Sequence, residues 1–220
     1  MLEVWGRKNS SNVIPVLWAV AELGLAHNRH NVGGSFGGLE TDAYGAMNPN
    51  RTIPTINDDG FVLWESNAIV RHLCRQYGAG SLWPEKATEV ALADQWMEWS
   101  KANVMMNLIQ VFFALVRSPA ESRDAEKVRA LVSAVTKTLR LLESHLAGQD
   151  FVVGNNLTMG DIPLGAAINK YFVMDIERPS LPNIEAWYAR LSEREPYRKH
   201  AMNPIGTSPE EWLELEKAGA

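Results

Sequence analysis

The chain has 220 residues, of which 46% are hydrophobic and 21% charged, as is usual for a soluble globular protein with one large or two small domains. Its formal net charge of −5 provides no basic field for nucleic acid or for an anionic membrane surface. The single cysteine excludes an intramolecular disulfide and any CxxC redox or zinc motif, which favours a reducing, cytoplasmic location.

The first 78 residues alternate strand and helix signals. Strands are predicted at 2–5 and 27–32, on either side of an apolar helix over 13–25 that has Pro15 in its first turn and Ser11 or Asn12 as its cap. A glycine-rich loop and a short helix over 41–47 follow. No signal peptide is expected at the amino terminus.

The stretch 47–77 has three parts with different structural duties. Pro54 stands at the entry to a short strand, where a central strand rarely tolerates proline, and this predicts a special peptide bond. Two strands joined by an Asp-Asp-Gly turn come next. Ser66 is then a candidate N-cap for a helix with Ile69, Leu73 and Tyr77 at helical spacing. Together these parts form an edge that can hold an extended, peptide-like anion.

Residues 78–84 have the composition of a linker, and only helices are predicted after them. Two long helices are expected at 88–117 and 120–147. A box with Thr158 and Asp161 three residues apart opens a third helix that ends near residue 174, and a further helix covers 181–191. The apolar run 104–116 is too short to span a bilayer, so no membrane association is expected.

The motifs NPNRTIPTI and LWESNAIVRHL resemble the glutathione-binding half of the glutathione transferase family, and the Thr-x-x-Asp box extends the resemblance into the second half. This resemblance implies an α/β thioredoxin-like N-terminal domain over 1–78 and an all-α helical C-terminal domain over 86–220. It also implies that the Ile53–Pro54 bond is cis, that the Ile53 backbone pairs with the cysteinyl part of glutathione, and that Glu65 and Ser66 receive its γ-glutamyl end.

Glutathione must become a thiolate to attack an electrophile, and an unperturbed thiol with a pKa of about 8.5 is mostly protonated near neutrality. A hydroxyl and a helix N-terminus both stabilise the anion. Ser10 follows the first strand and fits the frame of the serine-type branches of the family, with Asn12 as a supporting donor and Ser11 as the rival. The loop holds no tyrosine, and Cys74 lies far from it, so tyrosine-type and cysteine-type chemistry are disfavoured.

Other polar residues are weaker candidates for the site than Ser10. Arg51 is a candidate for the glycyl carboxylate of glutathione, with a solvated loop charge as the equal alternative, and the same alternative applies to Arg7 and Lys8. The electrophile pocket is placed between the loop that contains Arg7 and the long helix. On that helix its candidate lining residues are Asn103, Met106 and Gln110.

The resemblance implies glutathione as co-substrate, a small hydrophobic electrophile as second substrate, and a homodimer. Conjugation, peroxide or disulfide reduction, isomerisation and dehalogenation are the possible reactions. The five histidines have no metal-ligand spacing, so neither a metal nor another cofactor is expected. The alternative function is a non-catalytic, protein-binding module with the same architecture. Ser10, Pro54, Glu65 and Ser66 are all present, which favours the enzyme.

Overall fold

A computed structural model describes residues 1–219, and its first 77 residues form a small mixed sheet with helices packed against it. The strands are β1 (Leu2–Trp5), β2 (His27–His30), β3 (Thr55–Asp58) and β4 (Phe61–Trp64), in the spatial order β2-β1-β3-β4. β1 pairs with β2 in parallel and with β3 antiparallel, and β4 is antiparallel to β3. The expected thioredoxin-like sheet is therefore confirmed.

Helix α1 (Ile14–Glu22) is the centre of the molecule because it contacts both halves of the chain. Its residues Ile14 to Val20 are all buried, as its nearly continuous apolar sequence requires. Trp18 packs edge-on against Tyr197, with ring centroids 4.7 Å apart. Gly165 makes this packing possible, since a Cβ there would lie 2.8 Å from the Trp18 ring.

The helix starts differ in detail from those predicted. The residue before α1 is Val13, and no side chain caps the helix, so neither Ser11 nor Asn12 acts as its cap. Helix α2 (Asp42–Met47) is capped by Thr41, whose hydroxyl accepts from the Tyr44 amide. Helix α3 (Ser66–Tyr77) includes Ser66 as its first residue, and the cap position belongs to Glu65. The prediction that Ser66 caps α3 was therefore wrong by one residue.

The second half is helical, as predicted, and begins with one long helical run over residues 87–117. This run consists of α4 (Ala87–Trp99), a π-helical segment (Ser100–Met105), α5 (Met106–Phe112) and a second π-helical segment (Phe113–Arg117). Helical π segments are rare and are frequent at functional sites. By length and composition alone the run could cross a membrane, but a core helix of a soluble protein passes the same test, and this one packs against later helices.

Five further helices complete the fold: α6 (Ala125–His145), α7 (Asp161–Val173), α8 (Pro182–Ser192), α9 (Glu195–His200) and α10 (Pro209–Ala218). The sequence prediction started α6 five residues too early, since Asp124 caps it through two backbone amides. It also missed α9 and α10. Each has a proline as its first or second residue, a pattern that fits loops equally well.

The predicted Thr158 and Asp161 box forms at the start of α7. The Asp161 carboxylate accepts from the Thr158 amide at 3.0 Å, and it also accepts from the Val152 amide and the Trp187 indole. Burial raises the pKa of Asp161 to about 6, against the opposing effect of these donors. The box thus ties α8 to α7 as well as starting the helix.

The two halves of the chain meet along α3 and α4. The Asn67 amide donates to the Met97 carbonyl at 3.0 Å in a buried position. Arg71 forms ion pairs with Asp94 and Glu98 on the solvent side of the same contact. This junction fixes the start of α3 against the long helix, and so sets one wall of the candidate site.

Candidate functional site

The sequence motifs of the first half come together around a pocket of about 250 Å³. The loop before α1, the entry to β3, the start of α3 and the long helix all contribute to its walls. The lining residues are Asn12, Thr52, Ile53, Pro54, Glu65, Ser66 and Lys101. Four of the five residues predicted to bind glutathione, all but Arg51, therefore line one pocket.

The bond between Ile53 and Pro54 is cis, which confirms the prediction. Two polar side chains hold the loop before Ile53 in place. The Tyr44 hydroxyl donates to the Thr52 carbonyl at 2.6 Å, and the Asn48 amide donates to the same carbonyl at 2.9 Å. Because Asn48 is fully buried, its hydrogen bond to Thr52 holds this loop in a fixed position.

The corner at Glu65 and Ser66 forms the opposite wall. Glu65 has φ of 72°, a left-handed conformation that is uncommon for a residue with a side chain and that concentrates at functional sites. It places Ser66, whose hydroxyl makes no hydrogen bond with any described residue, at the N-terminus of α3. A helix N-terminus with free amide groups favours a carboxylate.

Lys101 is a site residue that the sequence analysis missed. Its ammonium donates to the Glu65 carboxylate at 2.6 Å, and both side chains are about half exposed. A lysine on a long apolar helix carries no local signal of this role, since only the docking of the helix onto α3 brings it to the pocket. The pocket thus presents one carboxylate, one ammonium and a helix N-terminus, which suits a zwitterionic peptide ligand.

The loop before α1 contains the two candidate serines. Ser10 is buried, with 6% of its surface exposed, and its Oγ accepts from the Asn12 amide at 3.4 Å. Because that contact uses Oγ as an acceptor, the hydroxyl proton remains available to donate. Ser11 is half-buried, and Asn12, which lines the pocket, is exposed.

Arg51 and Arg7, which were predicted to lie at the ligand sites, contact other parts of the chain instead. The Arg51 guanidinium donates to the carbonyls of Leu39 and Thr41 at 2.8 and 2.9 Å, so it braces the loop before α2 and does not line the pocket. Arg7 pairs with Glu216 of α10 at 3.1 Å and lies 5.9 Å from the centroid of Trp212. Partial burial lowers the pKa of Arg7, and the Glu216 carboxylate opposes that shift.

The predicted electrophile-pocket residues lie on an exposed face of the long helix. Met106 is 55% exposed, so it is not part of the core, and the amides of Asn103 and Gln110 donate to carbonyls one helical turn earlier. Phe113 extends this face, and Arg117 stacks over both Phe113 and Trp212. The face therefore runs from near Lys101 towards α10.

Cysteine and metal chemistry gain no support from the structure. Cys74 is fully buried in α3, and burial raises the pKa of its thiol to about 12. Within residues 1–219 no group of three or more His, Cys, Asp or Glu side chains is placed to hold a metal ion.

Comparison with known proteins identifies the family. The model for the N-terminal domain of glutathione S-transferases matches residues 9–76, and the model for the C-terminal domain matches residues 104–195. The glutathione S-transferase GstB of Escherichia coli K12 is 35% identical over 207 residues, which is 93% of this chain and 100% of that protein. The chain belongs to the glutathione S-transferase family.

Solved structures of this family share the fold. A theta class glutathione S-transferase from Xanthomonas axonopodis pv. citri with glutathione bound is 43% identical, with a TM-score of 0.88 over 93% of this chain and 99% of that one. The glutathione transferase BmGSTD1 of Bombyx mori is 26% identical, with a TM-score of 0.81 over 91% and 93% of the two chains. The thioredoxin-like first half and the helical second half are thus those of the family.

Proposed function

We propose that this glutathione transferase holds glutathione in the pocket between Pro54 and Ser66 and activates its thiol with the Ser10 hydroxyl. The observation that carries the proposal is the convergence of Ile53, Glu65, Ser66 and Asn12 on one pocket beside the α1 loop. The Ile53 main chain would pair with the cysteinyl part, and Glu65 and Ser66 would bind the γ-glutamyl end.

Two features favour the thiolate near this loop. The Ser10 hydroxyl can donate to sulfur, since its oxygen already accepts from the Asn12 amide. The N-terminus of α1 follows within four residues, and the positive end of its dipole favours an anion nearby. Asn12 is proposed as a second donor. The thiol proton then passes to solvent water, and the resulting thiolate attacks the electrophile.

Replacing Ser10 with alanine tests this assignment. Glutathione should still bind, because its peptide contacts lie at Ile53, Glu65 and Ser66. A hydrogen bond to a charged acceptor contributes about 1.5 to 3 kcal/mol, so the bound thiol pKa should rise by about one to two units. Thiolate absorbance of the complex, titrated against pH, measures the shift.

Ser11→Ala is the matched control and should leave the thiol pKa unchanged. A shift in Ser11→Ala alone would move the catalytic role by one residue. No shift in either variant would overturn the serine mechanism. Retention on immobilised glutathione without any thiolate formation would favour the non-catalytic binding function.

We also propose the second substrate, assembly and location that fit this chemistry. The exposed face with Met106 would receive a small hydrophobic electrophile, and its conjugation would serve detoxification in the cytoplasm. The domain division at residues 1–78 and 86–220 is part of this proposal.

The proposed assembly is a homodimer. Phe61 and Leu92, both about half exposed, support it. Light scattering should then give twice the chain mass of 24.5 kDa.

A further inference from the structure

Two arginines meet on the ring of Trp212, at the α10 end of the exposed face of the long helix. The guanidinium carbon of Arg117 lies 5.6 Å from the centroid of this ring, and that of Arg7 lies 5.9 Å from it. Partial burial lowers the pKa of Arg7, and the like charge of Arg117 adds to this shift. Positive charge is therefore concentrated at this end of the face.

One carboxylate partly balances these cations. Glu216 pairs with Arg7 at 3.1 Å and also accepts from the Ser35 amide. Arg117 is exposed, and within residues 1–219 its side chain forms neither an ion pair nor a hydrogen bond. Lys170 adds a third cation, since burial and then the nearby charge of Arg7 lower its pKa to about 8. At least one positive charge here thus has no counterpart in the described part of the chain.

Three buried N–H groups around the same arginines also lack acceptors among residues 1–219. They are Arg7 Nε, Asn9 Nδ2 and Trp212 Nε1. Asn9 is joined to Arg7 through its Oδ1, which accepts from Nη1 at 2.8 Å, and it directly precedes Ser10. Buried donors are normally paired, and the positive ends of unpaired N–H groups add to the field of nearby cations. The positive field therefore extends from Arg117 to the loop that contains Ser10.

The surroundings of Arg117 suit an anion that also has an apolar part. Phe113 is half exposed, and its ring centroid lies 5.6 Å from the Arg117 guanidinium carbon. A guanidinium presents two parallel N–H donors, which match the two oxygens of a carboxylate. An aromatic or aliphatic body that lies on Phe113 would bring its carboxylate to Arg117.

We propose that Arg117 determines the specificity of the electrophile site, whose substrates are electrophiles that carry a carboxylate. The carboxylate pairs with Arg117, which has Arg7 behind it, and the apolar part of the substrate lies on Phe113. The reactive carbon then faces the glutathione sulfur beside Ser10. This inference rests on the proposed function and adds a charged group to the proposed hydrophobic electrophile.

Binding of matched glutathione conjugates tests the inference without a reaction step. The S-carboxypentyl and S-carbamoylpentyl conjugates, each with its polar group at the end of the chain, have the same length and differ in charge. The carboxylate conjugate should bind at least about fivefold more tightly, because it forms a charge-assisted hydrogen bond whose gain is limited by the exposure of Arg117. Calorimetric titration of the full chain measures both affinities.

Substitutions of Arg117 locate the preference. Arg117→Met should reduce the affinity for the carboxylate conjugate to that for the carboxamide. Arg117→Lys keeps the charge and should retain a preference, which separates loss of charge from loss of packing on Trp212. Arg129→Met, at an exposed arginine of α6, is the matched control and should keep the full preference. All three variants should retain the wild-type circular dichroism.

Turnover of a matched pair of electrophiles extends the test to the reaction. The pair is a chlorodinitrobenzoate and the corresponding benzamide, each with chlorine para to the carbonyl group. The glutathione sulfur bonds to the carbon that bears chlorine, and the C–Cl bond breaks as chloride leaves with its electron pair. The ratio of kcat/KM to the uncatalysed rate constant should be at least about fivefold larger for the benzoate, and equal for the two electrophiles in Arg117→Met.

Three results would overturn the inference: equal wild-type affinities for the two conjugates, equal rate ratios for the two electrophiles, or an unchanged preference in Arg117→Met. The thiol pKa separates these results from a failure of the proposed function. A wild-type protein that forms the thiolate but does not prefer the carboxylate keeps the proposed function and loses this inference. A protein that binds neither conjugate loses both.

Discussion

Two ion pairs near the loop before α1 differ in how far they are exposed to water, and this difference gives them different roles. The first, between Glu65 and Lys101, lies in the pocket where we propose that glutathione binds, with both side chains about half exposed. The second, between Arg7 and Glu216, seals α10 against the first half of the chain, with 18% and 4% of the side chains exposed. Water surrounds the first pair and is nearly excluded from the second.

The difference decides what each pair can do. An exposed pair gains little from its Coulomb attraction, so a ligand can replace one partner at small cost. A buried pair depends on its partner, since neither charge has water to replace it. Glu216 also accepts from the Ser35 amide at 2.8 Å, so its two oxygens serve two separate segments. We therefore assign binding to the first pair and architecture to the second.

The largest effect is expected from removing the buried acid with Glu216→Ala. This leaves the largely buried Arg7 without its acidic partner and breaks the contact to Ser35. The free energy of unfolding should fall by about 3 kcal/mol, as is typical when one partner of a buried ion pair is lost. Urea denaturation measures the change.

Glu214→Ala is the matched control, because Glu214 is an exposed acid on the same helix. It should change stability by less than about 0.5 kcal/mol. Equal stability of the Glu216 and Glu214 variants would show that α10 does not depend on the Arg7 contact, and the contrast between the two pairs would disappear.

Lys170, a buried cation near Arg7, provides the next test. Lys170 of α7 is 3% exposed and makes no hydrogen bond or ion pair with the rest of the described chain. Desolvation lowers the pKa of Lys170 to about 8, and the nearby charge of Arg7 adds to this shift. The charged form is thus unfavourable in the folded protein. The stability linked to neutral Lys170 is present above the unfolded pKa of about 10.4 and is lost as the pH falls through about 8.

Lys170→Met removes this cost while keeping a similar volume. We expect the variant to be about 2 kcal/mol more stable than the wild type at pH 7, with the advantage shrinking at pH 10. Thermal unfolding at the two pH values measures it. Lys137→Met, at an exposed position, should have no such effect. A destabilised Lys170→Met protein at pH 7 would mean that the ammonium has a favourable partner, and loss of thiolate formation would give it a role in the reaction.

The same contrast explains what could be predicted from sequence. Pro54, Glu65 and Ser66 follow one another within a hairpin and a helix start, so local spacing reveals them. Lys101 and Glu216 are brought to the loop only by the docking of distant helices, and no nearby motif marks them. For Arg7 and Arg51 the sequence allowed a ligand contact and a solvated loop charge equally, whereas in the structure both arginines contact other parts of the chain. Burial, which decides between these outcomes, is a property of the packed structure.

Glu65→Gln should have the smallest effect on stability, yet it should clearly weaken glutathione binding. The change keeps the size of the side chain and removes its charge, so the ion pair with Lys101 becomes at most a neutral hydrogen bond. Since both side chains are half exposed, the free energy of unfolding should change by about 0.5 kcal/mol or less. Glutathione affinity should nevertheless fall about tenfold, because the carboxylate is the only acidic group among the described residues that line the pocket and would receive the α-amino group of the ligand. Calorimetric titration with glutathione measures this loss, and Glu98→Gln, another exposed acid in an ion pair near α3, is the control that should bind normally. Unchanged affinity in Glu65→Gln would remove this residue from the glutathione site and leave its left-handed backbone as a feature of the turn alone.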